Sequence, residues 1–126
     1  MALDLVTIPS ANLWGRTDVP DTDAIAVDIP DGDLVDLESA ARRLAADGVH
    51  PVTTGPDDLP LGPLAALVEE VRTEVLHGRG IVLLRGFPVD RCTVDEMALM
   101  FWGVGLRLGR AVSQSVMGER LGHVVN

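Results

Sequence analysis

The chain has 126 residues and 47% apolar content, which suits one folded domain with a modest core and argues against a disordered polypeptide. Its net charge of −9 comes with no basic stripe, and nucleic-acid binding is disfavoured because phosphate contact needs clustered cations. Residues 1–60 hold 12 acids against 3 arginines, whereas residues 61–126 hold 7 of each, so the acidity belongs to turn and linker sequence and reads first as solvated surface.

Residues 1–30 are rich in Pro, Asp and Thr. Within them, residues 24–27 predict an edge strand stopped by Asp28 and Pro30. Trp14, in a loop, is expected to plug the core, since its large apolar area rewards burial. Asp33 is the expected N-cap of a first helix, its carboxylate accepting from the free N–H groups of the first turn. Leu34, Leu37, Ala41, Leu44 and Ala45 recur at helical spacing on one face. Glu38 and Arg42 form an i,i+4 pair away from that stripe, and Asp47-Gly48 ends the helix. Residues 50–60 read as a linker with three prolines, in which His50 is a loop residue biased to an extended conformation by Pro51. A second helix starts at Pro63 and carries Leu64, Leu67, Val68, Val71 and Val75 on its apolar face. It ends at His77-Gly78, where a histidine interacts well with the exposed carbonyls.

The four apolar residues 81–84 predict a strand covered on both faces. Arg85 at its end is a structural ion-pair residue by default and an anion contact as the alternative. Gly86 and Pro88 then turn the chain. Thr93 and Glu96 have the spacing of a capping box, and Met97, Met100, Phe101, Val104 and Leu108 follow as a core stripe. Gly103 and Gly105 each weaken that helix by about 1 kcal/mol relative to Ala and are expected to permit close packing. Gly109 ends it. Residues 112–116 and 121–125 predict two strands around a turn at 117–119, with Val112, Gln114 and Val116 on one face.

One family resemblance emerges from this order. Gly78-Arg79-Gly80, the apolar run 81–84, Arg85-Gly86-Phe87-Pro88-Val89, a helix, Leu108-Gly109, Gln114-Ser115, Gly118 and Gly122-His123-Val124 follow one another. This succession resembles the opening of the iron(II)/2-oxoglutarate-dependent dioxygenases of the taurine dioxygenase (TauD/TfdA) type. The resemblance is good over residues 61–126 and loose over residues 1–60. It implies that residues 1–126 are the N-terminal portion of a single α+β domain, supplying the helices and first strands of a double-stranded β-helix (jelly-roll, clavaminate synthase-like) fold. It also implies oxidative decarboxylation of 2-oxoglutarate coupled to hydroxylation of a small, amino-acid-like molecule. The iron ligands and the oxoacid-binding arginine then come from strands beyond this segment. Gln114 is placed by the resemblance over the substrate, where its amide can orient an amino or carboxylate group; the alternative is a strand residue that bonds its neighbours or faces solvent. Asn126, where the chain approaches the pocket, is the weaker substrate-binding candidate. Iron(II) and 2-oxoglutarate are implied for the complete enzyme, and neither is expected to be held by this chain.

The residues themselves offer little independent chemistry. A non-haem iron site needs two histidines and a carboxylate on one face of the metal, but His50, His77 and His123 lie far apart in sequence and none stands two residues before Asp or Glu. There is no lysine, which excludes a Schiff-base or Walker-type role for one. Cys92, the single cysteine, cannot form an intramolecular disulfide, and beside Arg91 it is expected to have a somewhat lowered pKa. The N-terminus lacks a secretion-type pattern, and no apolar run approaches the ~20 residues needed to span a bilayer, so a soluble, cytoplasmic chain is expected. With its sheet incomplete, the chain is expected to leave an edge open to a partner chain or to self-association. A non-catalytic α+β module that binds a partner through that edge, or through the acidic half, is the alternative reading.

Overall fold

The computed structural model describes residues 14–15, 17–19 and 21–124. Three helices make the frame: α1 (Val35–Ala46), α2 (Leu64–His77) and α3 (Val94–Leu108). Two short strands, β1 (Ala26–Asp28) and β2 (Leu83–Arg85), pair in parallel with Val27 opposite Leu84. The described residues therefore form a mixed α+β chain whose sheet has two strands.

The core is helical. Leu37, Ala40 and Ala41 of α1 pack with Leu99, Met100, Gly103 and Val104 of α3, while Leu64 and Val68 of α2 close the third side. At the α1–α3 crossing, a Cβ on Gly103 would stand 2.9 Å from Leu37 Cδ1 and 3.1 Å from Leu59 Cβ. Gly103 therefore permits the close approach expected of it. Gly105 has nothing within 4 Å of the equivalent position and permits no such contact. The α3 start is a full capping box: the Glu96 amide donates to Thr93 Oγ1 at 3.2 Å, and the Thr93 amide donates to Glu96 Oε2 at 2.8 Å.

Several expectations are corrected. Asp33 does not cap α1: its own amide donates to Pro30 O at 3.1 Å within a turn that runs directly into the helix, leaving Leu34 at the cap with no side-chain bond. Phe101 is 65% exposed, because the buried face of α3 rotates instead through Trp102, whose indole N–H donates to Thr54 O at 3.4 Å. Val75 is exposed as α2 runs past the core, and Trp14 is exposed rather than a plug. The 50–60 segment is more than a linker. His50 accepts from the Val52 amide at a 3₁₀ turn (Pro51–Thr53), and Leu59 beyond it is fully buried.

The largest departures concern the strands. Leu83 is exposed and residues 81, 82 and 84 are only half-buried, since β2 has β1 as its one neighbour and nothing lies over its second face among the described residues. Residues 112–116 and 121–124 form no strand, and Val125 lies outside the described residues. A turn does form, with the Gly118 amide donating to Ser115 O at 3.1 Å and the Gln114 amide to Glu119 O at 3.0 Å, but no ladder extends from it. The alternation has the pattern of a half-buried strand, but among the described residues no neighbouring layer lies against it. A two-stranded hairpin alone is marginal in water.

Candidate functional site

Two features stand out on the surface. The first is a polar cleft of ≈ 390 Å³ at the start of α1, lined by Gly32, Leu34, Glu38, Ser39, Arg42 and Arg91. Glu38 organises it. Its side chain projects from α1 toward the loop that precedes α3 and is only 13% exposed. Arg91 Nη2 donates to Glu38 Oε2 at 2.9 Å and Arg91 Nε to Oε1 at 3.2 Å, while Arg42 Nη2 reaches Oε1 at 2.7 Å. The Arg91 hydrogen bonds, helped by the charge of both guanidiniums, hold the Glu38 carboxyl below its ordinary range and outweigh burial, which acts the other way.

Cys92 lies beside this cluster, with Sγ 3.9 Å from Glu38 Oε1. Burial pushes its thiol up, and the Glu38 carboxylate adds to the effect against an opposing contribution from Arg42. The expected lowering by Arg91 is therefore corrected, because that guanidinium is turned onto Glu38. With the carboxylate ionised and doubly engaged and the thiol protonated, the cluster offers no free base or nucleophile. It clamps the loop before α3 onto α1.

The second feature is apolar. A shallow groove of ≈ 400 Å³ is lined by Leu84, Phe87, Val89, Met97 and Phe101. A neighbouring one of ≈ 330 Å³ shares Phe101 and continues over Leu106, Leu108, Ala111 and Leu121, with Arg110 and Arg120 in its wall. Together they make a continuous apolar face along β2, α3 and the segment that follows.

The sequence candidates are not gathered at one place. Gln114 stands on the exposed segment after α3, its side-chain N–H donating to Val112 O at 3.5 Å. Asn126 lies outside the described residues. Arg85 takes its structural role: Nη1 donates to Asp23 at 2.7 Å and Nε to Asp28 at 2.9 Å, tying β2 to β1 and to the turn before it. These two carboxylates, Asp28 first, hold the guanidinium in its charged form. His50, His77 and His123 are exposed and separate, and among the described residues no group of three His, Cys, Asp or Glu side chains could hold a metal ion. Sequence reasoning missed the Glu38–Arg91 clamp and the exposure of Phe101. The first joins residues distant in sequence and has no spacing signal. The second was hidden because Phe101 and Trp102 are adjacent and either could head the stripe.

No protein-family model matches the chain. Over 114 residues it is 29% identical to FR-33289 synthase of Streptomyces rubellomurinus (strain ATCC 31215), a stretch covering 90% of this chain. The same stretch is 34% of that protein, so the chain spans about a third of its relative's length. The similarity marks a distant relationship to that synthase. Among the described residues, no helix is long and apolar enough to cross a membrane.

Proposed function

We propose that this chain is the N-terminal segment of an iron(II)/2-oxoglutarate-dependent oxygenase of the TauD/TfdA type, acting on a small molecule with amino-acid-like polar groups. The observation that carries the reading is the similarity to FR-33289 synthase across 90% of the chain, together with the ordered motifs from Gly78 to Val124. In this reading the described helices are the outer layer of a double-stranded β-helix, and residues 112–124 are its first strands in an unpaired state.

The described residues do not fit an iron site, since they bring no three metal-ligating side chains together. No step through iron or 2-oxoglutarate therefore belongs to them. Both cofactors would be held by other polypeptide of the complete enzyme, and the isolated chain would turn nothing over. What this segment contributes is placement. Gln114 has an amide engaged only through a long bond to Val112 O and is free to orient a substrate amino or carboxylate group. Asn126 is the second candidate for that role.

The test is the intact mass of the protein from its native cell, followed by assay of that form. A species well above 13.4 kDa whose substrate turnover needs iron and 2-oxoglutarate supports the reading, and Gln114→Ala in it should raise KM more than it lowers kcat. A native species of 13.4 kDa without such turnover overturns it.

A further inference from the structure

We propose that the cleft at the start of α1 binds a small monoanionic carboxylate with a short apolar tail, held by Arg42 and Arg91. The inference goes beyond the oxygenase reading and does not depend on it, since Gln114 does not line this cleft.

The first support is unused hydrogen-bonding capacity. A guanidinium has five N–H donors. Arg91 places Nε and Nη2 on Glu38, and its Nη1 has no acceptor among the described residues. Arg42 places Nη2 on Glu38 and, at 3.5 Å, on Arg91 O, and it lies against the Cys92 thiol. Its Nε and Nη1 have no oxygen acceptor among the described residues. Glu38 thus fixes two guanidiniums side by side in the cleft wall without exhausting either. Donors held in place in this way lose less freedom on meeting an anion than loose ones do. Their planar forks match a carboxylate.

Charge and shape narrow the ligand further. The ionisable side chains lining the cleft are Asp31, Glu38, Arg42 and Arg91. Glu38 cancels one of the two arginines and leaves one positive charge beside it, while Asp31 is exposed. A monoanion answers that single charge. A dianion such as phosphate brings a second charge that meets Glu38 and Asp31 without a partner. The remaining wall includes Pro30 and the buried side chains of Ile29 and Leu34, an apolar surface suited to a short aliphatic tail. At ≈ 390 Å³ the cleft has room for such a molecule.

The experiment titrates sodium butyrate into the ¹⁵N-labelled 126-residue chain at pH 7 and constant ionic strength, observing the arginine Nε–H signals. Arg42 and Arg91 should shift along one saturating curve in the millimolar range, while Arg72 of α2, which does not line the cleft, should stay still. Inorganic phosphate should bind more weakly. Arg42→Gln keeps both Arg91 bonds to Glu38 and should weaken butyrate about 3–5-fold, the scale of one exposed charge pair. Val35 is exposed at 56% in the same cleft, in the first turn of α1, where an acid suits the helix. Val35→Asp should therefore preserve the fold and weaken butyrate by repulsion. Shifts that never saturate, equal shifts at Arg72, or butyrate affinity unchanged in both variants would overturn the proposal. Phosphate binding as tightly as butyrate would overturn the carboxylate assignment. None of these readouts involves iron or 2-oxoglutarate, so they stand apart from the test of the oxygenase reading.

Discussion

Gly103 and Gly105 stand two residues apart on α3, and alanine at each should move stability in opposite directions. Neither has a positive φ, so alanine fits the backbone at both, and each replacement gains roughly 0.8–1 kcal/mol of helix propensity. At Gly105 nothing lies within 4 Å of the new methyl group, so that gain should appear nearly whole. At Gly103 the methyl group would meet Leu37 Cδ1 at 2.9 Å and Leu59 Cβ at 3.1 Å. Leu37 and Leu59 are both fully buried, so neither side chain can swing into solvent, and the Leu59 contact is made by a Cβ fixed to its backbone. Overpacking of this kind costs roughly 1–3 kcal/mol, which leaves Gly103→Ala a net loss of about 1 kcal/mol after the helix gain. The two variants should thus differ by about 2 kcal/mol, or on the order of 8 °C in midpoint for a domain of this size. Urea unfolding followed by circular dichroism measures it, with the slope m held constant to show that only stability changed. If Gly103→Ala stabilises the chain as much as Gly105→Ala does, the close α1–α3 crossing is wrong.

The Glu38 clamp makes a pH prediction. Its carboxyl is held low in the folded chain, so the stability it contributes is present above the ordinary carboxylate pKa of 4.5 and is lost as pH falls through the lower folded value. Glu38→Gln should cost about 1 kcal/mol at pH 7 and leave a flatter stability profile below pH ~4.5 than the wild type shows, as read by urea midpoints across that range. A wild-type profile parallel to that of the variant would refute the clamp. Cys92 should react with iodoacetamide at pH 8 more slowly than cysteine in the urea-unfolded chain, because burial keeps its thiol protonated and covered. Labelling at the unfolded rate would show that the thiol is open.

The helices were legible in the sequence because each of their signals is local. Thr93 and Glu96 satisfy one another across three residues, and Gly48 adopts φ +70° where α1 stops, so neither depends on the rest of the fold. The stripe Leu34, Leu37 and Ala41 was equally plain, since periodicity reports burial whenever the partner surface is present. Where it failed, the missing information was tertiary. Asp33 has the chemistry of a cap, but the preceding turn bends it into a different hydrogen bond. Leu59 sits among prolines in a segment with no periodicity, yet it is fully buried against Gly103. The strands expected at 112–116 and 121–125 rest on alternation around a turn, and alternation states which face wants burial without supplying the neighbour. Of the candidate site, Gln114 was placed by family resemblance and stands in this chain on an exposed turn, whereas the clamp at Glu38 was invisible because Arg91 lies far from it in sequence.

The β1–β2 pair shows how the helical core leads to the apolar face. Strands of three residues contribute few ladder bonds, and the ion pairs of Arg85 with Asp23 and Asp28 are exposed, where such pairs contribute little. What anchors the pair is Ile29, immediately after β1: it is buried in the main core, and its amide donates to Arg85 O at 2.9 Å. Gly86 passes over it at φ +111°, and a Cβ there would lie 3.2 Å from Ile29 Cβ, so the chain leaves β2 over a residue that, with Leu84, ties the sheet to the helices. Sequence beyond Gly86 is thereby sent outward through Phe87 and Val89 before Thr93 starts α3. Those two residues reach the surface by that route and meet Phe101 there. The exposed apolar face is thus a consequence of how the sheet is anchored, since Ile29 and Leu84 hold the pair to the core while Leu83 and the free edge of β2 stay exposed among the described residues.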